Sequence, residues 1–202
     1  LSPSSAASDV YKRQKGGIGS DNINTDIPLE LSGYSFPKEV RDKKEAIDLS
    51  LETLNLAKHD ITIPLLSMTY LAPLVGLIAE GNRTPNFVLW VYGLTGSRKT
   101  SASLAFLNHF GNFSSNIPPA SFKDTANAIE LKAHTLKDSL LLIDDYHPNI
   151  DGSDARKLAS TAERILRMYG DRVGRSRMRA DTTLNKTYKP CLLYTSPSPR
   201  DA

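Results

Sequence analysis

The densest chemical signal in the chain is eight consecutive residues, Gly93-Leu94-Thr95-Gly96-Ser97-Arg98-Lys99-Thr100. They lie between an apolar run, Phe87–Tyr92, and a stretch of helical composition, Thr100–Phe110. A phosphate chain carries several negative charges, so it is held best by backbone N–H groups converging in a tight loop and by the positive end of a helix. Glycine lets the backbone curl and come close, the Lys99 ammonium would reach β- and γ-phosphates, and the Thr100 hydroxyl would be offered to Mg²⁺. The pattern G-x-x-x-x-G-K-[ST] is met except at one point, where Arg98 stands in place of the second glycine. The bland alternative is a Gly-rich turn joining a strand to a helix.

A second motif strengthens the first. Leu140-Leu141-Leu142-Ile143-Asp144-Asp145 is a hydrophobic run ending in paired acids, about forty-five residues after Lys99. At the carboxyl end of a parallel strand beside a phosphate loop, Asp144 would hold Mg²⁺ through water, and Asp145 would orient or deprotonate an attacking water. Alone, two acids after a strand are a helix cap or a solvated turn. His147 reads as a loop or packing histidine. The third feature is charge. Arg156–Lys189 holds ten Lys and Arg against Glu163, Asp171 and Asp181, a surface suited to phosphate from nucleic acid or from a neighbouring subunit's nucleotide. Within it, Arg172 or Arg175 would serve as an arginine finger completing an adjacent site, the alternative being a solvated basic loop.

Several elements must position these groups. Phe87–Tyr92 has the continuous apolar, β-rich composition of a strand covered on both faces, and Ser139–Asp145 reads as a second such strand. Helices are expected over Glu39–Lys58, Thr100–Phe110, Asp124–Lys137 with Asp124 as cap, and Asp154–Tyr169, with a short strand at Ala120–Phe122. Ile61–Ala79 is nineteen residues without a charge. Pro64, Pro73 and interspersed Thr, Ser and Tyr weaken a membrane reading of it. A buried helix starting near Pro64 and bent at Pro73 is expected instead. Strands alternating with helices argue for a parallel α/β sheet.

Composition agrees with such a domain. The 202 residues are 40% hydrophobic and 23% charged, with 12 Gly and 12 Pro, which excludes a collagen, a mucin or a wholly disordered tail. The two ends stand apart. Asp9-Val10-Tyr11-Lys12-Arg13-Gln14 can be written GAT GTG TAT AAG AGA CAG; the reverse complement, read one base on, encodes Cys191-Leu192-Leu193-Tyr194-Thr195-Ser196. Residues 1–14 and 191–202 therefore resemble translated transposase-type sequencing adapters, and a reading frame cut at both sides is expected. The one cysteine, Cys191, leaves with the adapter, which fits a reducing cytoplasm and provides neither disulfide nor thiolate metal site.

Taken together, VLWVYGLTGSRKT, ASFKDTANAIE, SLLLIDDYHP and RMYGDRVGRSRMRAD resemble the ATPase domain of bacterial and phage mobile-element proteins related to primase–helicases, over roughly Asp26 to Pro190. That resemblance implies an α/β fold of the additional-strand, RecA-like P-loop NTPase type, a parallel sheet with flanking helices. Gly93–Thr100 would be its Walker A loop and Ile143–Asp145 would close Walker B. It also implies that Arg before the loop lysine is tolerated, and that subunits form a homo-oligomeric ring or filament. Family members continue past the position of Pro190 into a strand with a polar sensor residue, so a sheet truncated on its C-terminal side is expected here. The implied organisation is adapter 1–14, linker 15–37, helical region 38–84, partial P-loop domain 85–190 and adapter 191–202.

The leading functional expectation is an ATP- and Mg²⁺-dependent motor acting on single-stranded DNA, with no membrane partner. A regulatory or signalling ATPase without DNA contact is the alternative, its basic segment docking an acidic protein. A small-molecule kinase is a third reading, against which stands the absence of an evident acceptor or lid segment.

Overall fold

The computed structural model describes residues 28–35, 42–81, 85–113, 118–136, 139–147, 152–171 and 192–197. The expectations placed on residues 1–14 and on the part of the basic run Arg156–Lys189 that follows residue 171 lie outside them.

The fold is organised around its most apolar strand. Leu140, Leu141, Leu142 and Ile143 are fully buried at the start of a strand spanning Leu140–Tyr146. Because alternate side chains leave a strand on opposite faces, one run of apolar residues serves two cores. Leu141 and Ile143 pack with Ile129, Ala133, Ile165 and Met168, while Leu140 and Leu142 pack with Leu65, Met68, Leu104 and Phe106. The first group comes from helices Ala126–Thr135 and Gly152–Asp171, the second from helices His59–Leu71 and Lys99–Leu107. In chain order the helices are α1 (Lys43–Glu52), α2 (His59–Leu71), α3 (Val75–Glu80), α4 (Lys99–Leu107), α5 (Ala126–Thr135) and α6 (Gly152–Asp171). The strands are β1 (Val88–Trp90), β2 (Ala120–Ser121), β3 (Leu140–Tyr146) and β4 (Leu192–Pro197). The sheet is parallel throughout, in the order β1-β4-β3-β2. This is an α/β architecture: a small parallel sheet with helices on both faces.

The expectation that the sheet ends before a strand C-terminal to Pro190 is corrected. Leu192–Pro197 forms β4 and runs between β1 and β3, with Leu193 opposite both Val88 and Leu141. The reason is physical: β1 and β3 each turn a row of N–H and C=O groups toward the gap, and these must be paired away from water. The segment Leu192-Leu193-Tyr194-Thr195 has β-prone composition and supplies the partners.

Other boundaries shift for local reasons. β1 covers three residues rather than Phe87–Tyr92, with Val88 and Trp90 packed on one core cluster and Leu89 on the other. α2 starts at His59, so Pro64 lies inside it rather than in its first turn, and the α-helical ladder breaks at Pro73 into a 3-10 turn, Ala72–Leu74. The continuous helical stretch His59–Glu80 is long and apolar enough to cross a membrane by length and composition. One of its faces, through Leu65, Leu66, Met68 and Val75, belongs to a core cluster, and Thr69 returns its hydroxyl to the Leu65 carbonyl.

In the region expected as one helix over Glu39–Lys58, α1 covers ten residues and a 3-10 turn follows at Thr53–Leu56. Asp42 caps α1, its carboxylate accepting from the N–H groups of Lys44 and Glu45 at 2.8 and 3.0 Å. Ile47 and Leu51, four residues apart on one face, and Leu49 on another all stay exposed, and Ser50 is the α1 residue turned inward. A polar junction fastens α1 instead: Ser50 Oγ lies 2.7 Å from His109 Nε2 and 2.8 Å from the Tyr70 hydroxyl. Residues 28–35, within the stretch expected as a linker, are packed in the fold. Leu31 is fully buried and the Tyr34 hydroxyl donates to the Leu140 carbonyl at 2.7 Å. Thr125, not Asp124, caps α5 by accepting from the Ala128 N–H at 3.2 Å. Asp124 instead accepts from the Ser121 N–H and the Lys132 ammonium.

Candidate functional site

The loop after β1 has room to curl because Gly96 adopts φ of +80° with open space where a Cβ would lie. A turn closes behind it, the Ser97 N–H donating to the Leu94 carbonyl at 3.2 Å. Arg98 follows at φ +59° as the residue preceding α4, and its side chain makes no cap hydrogen bond. A non-glycine residue in the left-handed region costs on the order of 1–2 kcal/mol. Lys99 opens α4 and folds back over its own loop, donating from Nζ to the carbonyls of Gly93 at 2.7 Å and Leu94 at 2.8 Å.

Thr100, the next residue, faces the acids at the end of β3. Its hydroxyl donates to Asp144 Oδ1 at 3.2 Å, across forty-four positions of sequence. Asp144 stays in the ladder, opposite Ser121 of β2. Asp145 does not: the β3–β4 register slips between Asp144 and Tyr146, and Asp145 takes φ of +64°. Among the described residues, Arg98 and Asp145 are the non-glycine positions with positive φ, and both line one cavity of about 340 Å³ with Thr95, Lys99, Thr100 and Asp144. Strained backbone concentrated at one cavity is a pattern of functional sites.

The bulge aims Asp145 at Lys123, two residues beyond β2, and the two form an ion pair. The hydrogen bond to Asp145, and then its charge, raise the pKa of the Lys123 ammonium above the ordinary 10.5; desolvation opposes them and the Asp144 charge adds to them. Asp145 is thereby the wall shared with a second cavity of about 410 Å³, lined also by Lys123, Asp124, His147, Asp154 and Lys157. His147 Nδ1 there is out of solvent and without a hydrogen-bond partner among the described residues.

The structure thus brings together Gly93 through Thr100, Asp144 and Asp145. Arg172 and Arg175 lie outside the described residues. Lys123 was missed by sequence reasoning, since its relation to Asp145 depends on the β2–β3 register. Missed too was the pairing of Arg164 on α6 with Glu130 on α5, whose side chain is 7% exposed. A lysine just past a short strand is too common a feature to single out. As a possible metal site, the hydroxyl–carboxylate pair Thr100–Asp144 offers two hard oxygen donors of the kind Mg²⁺ takes, beside open space for further oxygen ligands. Among the described residues, no group of three or more His, Cys, Asp and Glu forms a cage of its own.

No family model and no curated protein matches the chain. Among solved structures, one described as "SCCmec type IV Cch - active helicase" is similar to it with a TM-score of 0.48 and 14% sequence identity, over 83% of this chain. The chain spans 29% of the length of that structure.

Proposed function

We propose that the chain carries the ATP-binding and ATP-hydrolysing centre of a P-loop motor that acts in the DNA replication of a mobile element, related to primase–helicases. The observation that carries this reading is the meeting of two distant motifs at one cavity: the loop Gly93–Thr100 and the acid pair Asp144–Asp145, joined by the Thr100–Asp144 hydrogen bond. In this reading the loop N–H groups and the α4 N-terminus receive the phosphates. Lys99 exchanges two neutral carbonyl partners for phosphate oxygens, a charge-assisted contact that is the stronger one. Thr100 and Asp144 would hold Mg²⁺, which supplies charge neutralisation on the phosphate oxygens. Asp145 accepts a hydrogen bond or proton from the attacking water, in competition with Lys123. Arg172 or Arg175 of an adjacent copy would complete the site in a ring or filament.

The antisense relation of Asp9–Gln14 to Cys191–Ser196 keeps both ends outside the native chain in this reading. Leu192–Pro197 then substitutes for a native strand between β1 and β3.

ATP turnover measured with and without single-stranded DNA tests the reading. DNA-stimulated turnover and DNA binding that weakens steeply with salt are expected, because phosphate neutralisation releases counterions. Turnover indifferent to DNA would replace the motor with a regulatory ATPase and leave the nucleotide site standing.

A further inference from the structure

We infer that the Arg98 guanidinium is itself a ligand for the phosphate chain, an inference that rests on the nucleotide reading of the loop. Three observations carry it. Arg98 occupies a left-handed position that glycine would fill without strain, and it offers no cap to α4 in return. Arg98 is exposed and lines the cavity between the loop and the paired acids. Every other charged group in that wall has a partner: Lys99 has the Gly93 and Leu94 carbonyls, Asp144 has Thr100, and Asp145 has Lys123. Arg98 has none among the described residues, although two carboxylates line the same cavity.

A permanently charged, forked donor without an internal partner, beside a loop built to receive anions, matches a phosphate oxygen pair. The unstrained choice at this position would be glycine, which has no charge. Arg98 therefore exchanges backbone ease for a second cation next to Lys99, and restoring the glycine of the phosphate-loop pattern should weaken nucleotide binding.

The test uses the full 202-residue chain and titrates ATP, ADP and AMP against the wild type, Arg98→Gly, Arg98→Asn, Arg98→Lys and Lys99→Ala. Gly and Asn both accept the left-handed backbone, so the fold is kept, which the thermal midpoint checks. Arg98→Gly and Arg98→Asn should each weaken ATP about tenfold or more, the equivalent of one charge-assisted bond. Arg98→Lys should recover part of the loss, and the loss should shrink from ATP to ADP to AMP. ATP affinity in Arg98→Gly equal to or tighter than wild type, with Lys99→Ala still weakened, would overturn the role of Arg98 and leave the nucleotide site intact. Unchanged affinity in Lys99→Ala would overturn both.

Discussion

At the scale of single residues, the site depends on hydrogen bonds that a bound metal or phosphate can replace. Thr100 donates to Asp144 at 3.2 Å, longer than an ordinary hydroxyl bond and so a weak one. Thr100→Val removes the hydroxyl while keeping the branched shape. Metal-free ATP affinity should stay within about twofold, while most of the affinity gained on adding Mg²⁺ should vanish, a change of about tenfold or more readable by titration with and without the metal. An equal Mg²⁺ response in both proteins would remove Thr100 from the metal's coordination.

Lys123 titrates in the opposite sense from an acid. Its pKa is raised in the folded chain, so the stability contributed by binding that proton is fully present below 10.5 and is lost as pH rises through the higher folded value. Carbon-13 NMR of the lysine ε positions should show Lys123 titrating above 10.5. The contrast with the loop is instructive: Gly93 through Thr100 are contiguous and legible in the sequence, whereas the Lys123–Asp145 pair exists only because Ser121 pairs with Asp144.

At the scale of elements, composition announced β3 because an unbroken apolar run has to be buried on both faces, and Leu140–Ile143 are. It announced α1 less well. The apolar residues Ile47, Leu49 and Leu51 of α1 are exposed, and the bond network at Ser50, His109 and Tyr70 that fastens it leaves no periodic signature. The charge pair that joins α5 to α6 beside their apolar contact was illegible for a similar reason, since one pair leaves no periodic signature. Arg164 donates from Nε to Glu130 Oε1 at 2.7 Å and from Nη2 to Asn127 Oδ1 at 2.9 Å. Arg164→Ala should therefore destabilise the fold by about 2–3 kcal/mol, less than for a wholly buried pair because the arginine is partly solvated. Urea unfolding checks this, and a change under 0.5 kcal/mol, the ordinary scatter of a surface substitution, would show the pair to be idle.

β4 permits a sharper trial. Leu193 sits in register with Val88 on one side and Leu141 on the other. Leu193→Pro deletes a ladder donor at the middle of the sheet and should cost at least about 1–3 kcal/mol for the carbonyl left without its partner. An unaltered urea midpoint would mean that this strand does not hold the sheet together.

For the whole molecule, the parallel order β1-β4-β3-β2 places the carboxyl ends of β1 and β3 at the same rim, with β4 between them. This is where open α/β sheets bind ligands. The sequence predicts the two motifs and their helices, and it misses the strand that sets their separation, because Leu192–Pro197 falls in the stretch that resembles a translated adapter and is given no element on that ground. In the proposed function Arg172 and Arg175 would act between subunits. Arg175→Ala should spare ATP binding and lower turnover only in the assembled oligomer; equal turnover in wild-type and variant oligomers would remove it as a finger. The most direct measurement is ATP turnover with Mg²⁺ by the chain and by Lys99→Ala, alongside their thermal midpoints. The account predicts that turnover is abolished in the variant while it stays folded, its midpoint lowered by no more than about 8 °C for the lost contacts of the half-buried Lys99 to the Gly93 and Leu94 carbonyls. Equal turnover by a folded Lys99→Ala protein would contradict it.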